Sequence, residues 1–66
     1  MARETKEFAC IADAVAHYAK QGFSTVDYAD RSRIMKRGRS EVIINREDFM
    51  LVIAEANYGD RNEDHN

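Results

Sequence analysis

Two consecutive runs, Phe23-Ser-Thr-Val-Asp-Tyr-Ala29 and Asp30-Arg-Ser-Arg-Ile-Met-Lys-Arg-Gly-Arg39, decide how this 66-residue chain folds. They admit two readings. Ser24 with Asp27 three residues on forms a capping box, which would open a helix running to Arg37 and closed by Gly38. At 100° per residue, however, Val26, Tyr28, Ala29, Ile34 and Met35 scatter around the axis instead of forming a stripe. As strands the same residues make sense. β-branched and aromatic types dominate Phe23–Ala29, with Val26 and Tyr28 on one parity and Phe23 and Thr25 on the other. The strand reading is adopted, with Asp30–Ser32 as a turn and Arg33–Arg37 as a second strand.

Gly38-Arg39 then becomes a two-residue hairpin loop, with glycine in the first position as a type II′ turn requires. Ser40–Ile44 is the returning strand. The loop sets the register: Lys36 faces Glu41, Met35 faces Val42 and Ile34 faces Ile43. One opposite-charge pair and two apolar pairs support one another.

Beyond the hairpin, Asn45 followed by Asp48 reads as an N-cap, and Arg46–Asn57 as a second helix ended by Gly59. Phe49-Met-Leu-Val-Ile53 would be apolar all round such a helix, and Val42, Ile43 and Ile44 pose the same difficulty for the strand. A small chain cannot bury so much alone. A homodimer is therefore expected, its interface formed by Ile44, Phe49, Met50, Leu51, Val52 and Ile53.

On the other side of the hairpin, Phe8, Ile11, Ala12, Val15, Tyr18 and Ala19 follow the spacing of one helix face. The segment is rich in alanine, and Gly22 sits where a left-handed cap belongs, just after Lys20. Residues 1–7 alternate in charge without apolar periodicity and read as a loose arm or a short edge strand. Asp60–Asn66 reads as a disordered polar tail. The fold class expected is α+β: helix, three-stranded antiparallel meander, helix (α-β-β-β-α), in a single compact domain over residues 1–59.

The charge distribution is uneven. Arg31, Arg33, Lys36, Arg37 and Arg39 place five positive charges in nine residues, leaving −7 on the remainder of a chain whose net charge is −2. On a hairpin these five side chains would present a positive surface to nucleic acid or to an acidic partner. The alternative is solvated charge protecting a strand edge. An overall acidic chain with only Tyr28 as a nearby base reader weighs against a dedicated nucleic-acid binder.

Other chemistry is sparse. Cys10 excludes an internal disulfide and is consistent with a reducing compartment. Cys10 and His17 are too few ligands for a tetrahedral metal site. Asp60, Asn62 and Asp64 have the opening spacing of a calcium loop but lack its glycine and its terminal glutamate. Cys10 with His17 as nucleophile and base, and the carboxylate pairs Glu47-Asp48 and Glu63-Asp64, have more ordinary readings as core, helix-terminus and tail residues. No glycine-rich phosphate loop is present, and so short a chain has little wall from which to build a pocket. The expectation is a non-catalytic regulatory module without metal, cofactor or small-molecule substrate. With no run long enough to span a membrane and no export leader, the expected setting is cytoplasmic.

Lys36-Arg37-Gly38-Arg39 followed by a β-rich run and Glu47-Asp48-Phe49 resembles the hairpin-to-helix segment of Phd/YefM-type antitoxins over residues 33–53. The spacing from Gly38 to Phe49 is about one residue shorter than in that family's pattern. The same run resembles the wing and following helix of small excisionase-like domains, which would require Ser24–Arg37 to be helical. The two are incompatible and no family is assigned, but both imply DNA-linked regulation. The sequence therefore yields two functional expectations. One is a nucleic-acid-contacting hairpin. The other is a protein-binding inhibitor or adaptor, of the kind phage or mobile-element genomes encode, acting through the hairpin or the apolar helix surface.

Overall fold

In the computed structural model, which describes residues 2–59, five strands form one antiparallel sheet with a single helix laid across one face. The elements are β1 (Ala2–Phe8), α1 (Ile11–Ala19), β2 (Ser24–Ala29), β3 (Ser32–Arg37), β4 (Ser40–Asp48) and β5 (Leu51–Tyr58). Strand order is β1-β5-β4-β3-β2. The chain thus enters on one edge, crosses the sheet through α1, and returns from the opposite edge as a four-stranded meander. The expected α-β-β-β-α arrangement is corrected to β-α-β-β-β-β.

The central hairpin has the register its turn dictates: Lys36 opposite Glu41, Met35 opposite Val42, Ile34 opposite Ile43. Gly38 has φ +59° and Arg39 does not share a positive φ, as a glycine-first turn requires. On either side of it the sequence reading needs amending. Residues 2–8 form a full edge strand, pairing with β5 from Ala2–Tyr58 to Phe8–Val52.

Among the described residues, no helix follows Asn45. β4 runs on to Asp48, the chain turns at Phe49-Met50, and β5 takes the place of the expected helix. Alternation explains why: Val52, Ala54 and Ala56 are fully buried beneath α1, while Leu51, Ile53, Glu55 and Asn57 face the other way. Small residues at 54 and 56 let the helix approach the middle of the sheet. The five consecutive apolar residues thus divide between an exposed turn and the two faces of a strand.

The core lies between α1 and the sheet and contains Ala14, Tyr18, Phe23, Met35, Val42, Ile44, Val52, Ala54 and Ala56, flanked by Phe8, Ile11, Val15 and Tyr58. α1 contributes Ile11, Ala14, Val15 and Tyr18, at the spacing of one helix face. Its end is a Schellman motif. The Phe23 N–H donates to the Tyr18 carbonyl (3.1 Å) and the Gly22 N–H to that of Ala19 (3.0 Å), with Gly22 at φ +94°. The Tyr18 and Phe23 rings, 5.7 Å apart and edge to face, supply the apolar contact that accompanies this cap. Gly59 ends no helix; it lies against Arg39, and its N–H donates to Ser40 Oγ (3.0 Å). The 60–66 tail lies outside the described residues. Among those described, no helix is long and apolar enough to cross a membrane.

Candidate functional site

Strand alternation disperses the basic run. Arg33 and Arg37 point to the helix side, paired with Ile44 and Ser40, whereas Lys36 points to the uncovered face. Arg31 and Arg39 sit in turns at opposite ends of β3, about 25 Å apart along an extended strand. These five residues therefore share no common surface.

Arg33, Lys36, Arg37 and Arg39 are all engaged within the fold. The Arg37 guanidinium donates to the Gln21 carbonyl (2.5 Å) and lies 4.6 Å from the centre of the Phe23 ring. Arg33 Nη1 donates to the carbonyls of Ala29 (2.9 Å) and Ser32 (3.0 Å), with its guanidinium 4.9 Å from the Tyr28 ring centre. Lys36 Nζ is 3.9 Å from the Glu41 carboxylate, as the hairpin register implies.

Arg31 has different surroundings. Together with Asp30, Arg46, Asp48 and Phe49 it lines an open cleft of about 670 Å³ between the β2–β3 and β4–β5 turns. The two hairpins are tied together there, because the Arg46 N–H donates to the Arg31 carbonyl at 2.8 Å. At the tip of the second hairpin, the Phe49 N–H donates to Asp48 Oδ1 (2.7 Å), which fixes the turn. Neither loop residue has a positive φ, and a register shift between Arg46 and Asp48 adjoins the turn. The cleft therefore combines two cations, two carboxylates and an aromatic ring that is 86% exposed.

The residues expected to form an oligomer interface are also separated by the fold. Ile44 and Val52 are core residues with no exposure. Leu51 and Ile53 are half-buried on the uncovered face, and Phe49 and Met50 project from the turn. With Tyr28 near the same end of the sheet, Phe49 and Met50 leave three large apolar side chains exposed there.

A polar and aromatic cluster closes the other side of the core. The Tyr58 hydroxyl donates to Glu4 Oε1 (3.1 Å) and lies 3.4 Å from Gln21 Oε1. Gln21 Nε2 is 3.1 Å from His17 Nε2, and the His17 ring packs against Phe8 and Tyr18. Burial, then the neighbouring Tyr58 and Glu4, push the Tyr18 phenol up to about 12. Its hydroxyl is buried with no hydrogen-bond partner. Burial, followed by the hydrogen bond to Glu4 and the charge on that carboxylate, also raises Tyr58. These contacts seal the core. His17 is engaged with Gln21 and two rings, while Cys10 is exposed ahead of α1. Among the described residues, no three His, Cys, Asp or Glu side chains are gathered to hold a metal.

Compared with family models, characterised proteins and solved structures, the chain matches none. Both resemblances noted in the sequence need a helix after the central hairpin, and β5 stands in its place.

Arg46, Asp30 and Asp48 are not among the binding residues expected from sequence, where Asp48 reads as part of a helix start. As part of an expected first helical turn Arg46 had no reason to meet Arg31. Continuing the β4 alternation past Asn45 brings them together.

Proposed function

We propose that this protein is a small, non-catalytic, cytoplasmic binding module that engages a protein partner through the end of the sheet carrying Phe49, Met50, Arg31 and Arg46. The observation that carries this reading is Phe49, 86% exposed in the β4–β5 turn beside a cleft holding two arginines. Aromatic, methionine and arginine side chains are the types enriched where proteins bind one another, and exposed aromatic anchors carry much of the energy.

The charges favour a protein over a nucleic acid. Arg31 and Arg46 share the cleft with Asp30 and Asp48, so it offers alternating signs to a mixed surface and not a uniform field to phosphates. The other cations in the basic run, Arg33, Lys36, Arg37 and Arg39, have partners within the fold.

The test is affinity capture from nuclease-treated lysate of the source cells, comparing the native chain with Phe49→Ala and Met50→Ala. A partner bound by the native chain and lost with Phe49→Ala supports the reading. Binding to duplex DNA that weakens steeply with salt, is reduced by Arg31→Ala and is indifferent to Phe49→Ala would replace it with the nucleic-acid reading.

A further inference from the structure

β1 is one edge of the sheet, paired through β5 alone, so alternate backbone N–H and C=O groups along Ala2–Phe8 face outward. Its sequence, Ala2-Arg-Glu-Thr-Lys-Glu-Phe8, is self-complementary when reversed about Thr5. Arg3 then meets Glu7, and Glu4 meets Lys6.

We propose that two copies of this chain pair antiparallel along β1, about a twofold axis at Thr5, to make a continuous ten-stranded sheet. Directly opposed residues in an antiparallel pair lie on the same face. Arg3, Thr5 and Glu7 are on the uncovered face of one copy and meet the same face of the second. Glu4 and Lys6 meet their counterparts on the helix side. Each dimer gains four opposite-charge pairs.

Register selection strengthens the argument. A twofold axis perpendicular to the sheet keeps like faces together, so the pairing can move only in steps that place a residue opposite its own copy. Centring the axis on Arg3, Glu4, Lys6 or Glu7 sets a charge against itself. Of residues 3–7 Thr5 alone is neutral, an axis at Ala2 or Phe8 would leave little of the strand paired, and only the Thr5 register pairs every charge with an opposite one. A strand charged merely to repel neighbours would not need this symmetry.

Existing contacts are compatible. Arg3 uses Nε to reach Asn57 Oδ1 (3.2 Å), leaving the outer guanidinium nitrogens available. Glu7 has no ion pair or side-chain hydrogen bond among the described residues. Lys6 Nζ lies 3.9 Å from Glu4 of its own strand, on a surface where a second carboxylate can join it. β1 has no strand beyond it, and Ala2, Arg3, Thr5 and Glu7 along it are exposed.

The experiment is sedimentation equilibrium of the full chain from about 5 to 500 µM, a range that brackets weak self-association. It compares the native chain, Arg3→Glu, Glu7→Arg and the double variant, with far-UV circular dichroism checking that each is folded. Either single reversal makes two like-charge pairs per dimer and should raise the dimer dissociation constant about tenfold. They shift net charge in opposite directions, so a general charge effect cannot weaken both. The double variant should recover native affinity. Mixing the two single variants should yield a heterodimer, because the glutamate introduced at position 3 of one then meets the arginine introduced at position 7 of the other.

A second readout uses Thr5→Cys in a Cys10→Ser background. Opposed residues of an antiparallel pair have Cα atoms about 4.5–5.5 Å apart, within disulfide range, so air oxidation should cross-link the chain. A native chain that stays monomeric across the range would overturn the proposal. So would a dimer indifferent to both reversals, one weakened by both but rescued by neither the double variant nor the mixture, or absence of the Thr5→Cys cross-link.

Discussion

The Arg37 guanidinium lies 4.6 Å from the centre of the Phe23 ring while donating to the Gln21 carbonyl, so a cation from the most basic run of the chain clamps the end of α1. It covers an apolar ring with its guanidinium plane and satisfies a carbonyl that the helix leaves free. Arg37→Ala should lower stability by about 1–2 kcal/mol, from the lost cation–π contact and hydrogen bond. Arg37→Lys should recover only part of this, since an ammonium reproduces neither the planar stacking nor the fork of donors. Urea unfolding of the three proteins checks the order.

The same corner depends on Gly22, whose φ of +94° is one that side chains rarely adopt. A Cβ there would also stand 3.3 Å from Arg37 Cδ. Gly22→Ala should cost about 1 kcal/mol or more, read as a fall in urea midpoint with an unchanged slope. By contrast, Glu41→Gln removes the exposed Lys36 pair and should change stability by less than about 0.5 kcal/mol.

These residues also show what was legible in the sequence. Glycines at 22 and 38 mark positive φ, and both the helix end and the hairpin turn could be placed from them. Once Gly38-Arg39 was fixed as the loop, the register of three cross-strand pairs followed. The second hairpin carries no such mark. Its turn is Phe49-Met50, held by Asp48 and a neighbouring register shift, with no glycine, proline or positive φ. Asn45 and Asp48 instead imitate a helix start, and Ala54 and Ala56 have helical propensity while serving as small core residues of a strand. The strand signal there was the parity of Ala54 and Ala56 against Glu55 and Asn57. For the site, charge clustering in sequence was misleading because strands send neighbours to opposite faces. The meeting of Arg31 with Arg46 continues the β3–β4 register one step past Ser32–Asn45, and reading Arg46 as the start of a helix hid it.

Tyr18 makes stability sensitive to alkali. Its phenol ionises near 10 when unfolded and at about 12 in the fold, so between these values the unfolded chain holds fewer protons than the folded one. The stabilising contribution is complete below pH 10 and is lost as pH rises toward 12, by a total of about 2–3 kcal/mol. Tyr18→Phe should remove most of this slope. Because the hydroxyl is buried without a partner, the same variant should be neutral or more stable by about 1 kcal/mol at pH 7. Urea titrations at pH 7, 10 and 11.5 test both parts. A native-like alkaline slope in Tyr18→Phe would assign the effect to Tyr58 instead.

Ile43 and Ile44 provide a direct test of the sheet, because identical side chains at adjacent positions face opposite ways. Ile44 is fully buried against α1 and the core, whereas Ile43 is half-buried on the uncovered face. Ile44→Ala should cost about 2–5 kcal/mol, the transfer term plus the cavity it leaves. Ile43→Ala should cost less than half as much, since solvent fills the space and the residue already has part of its surface in water. The contrast should recur at Val52 and Ile53, where the strand replaces the expected helix. Val52→Asp should prevent folding by burying an unpaired charge, and Ile53→Asp should leave a folded chain with normal far-UV circular dichroism. A helix through this segment would place neighbours only 100° apart and give them similar sensitivities, so a graded response would contradict β5, and an alternating one is the signature of the strand.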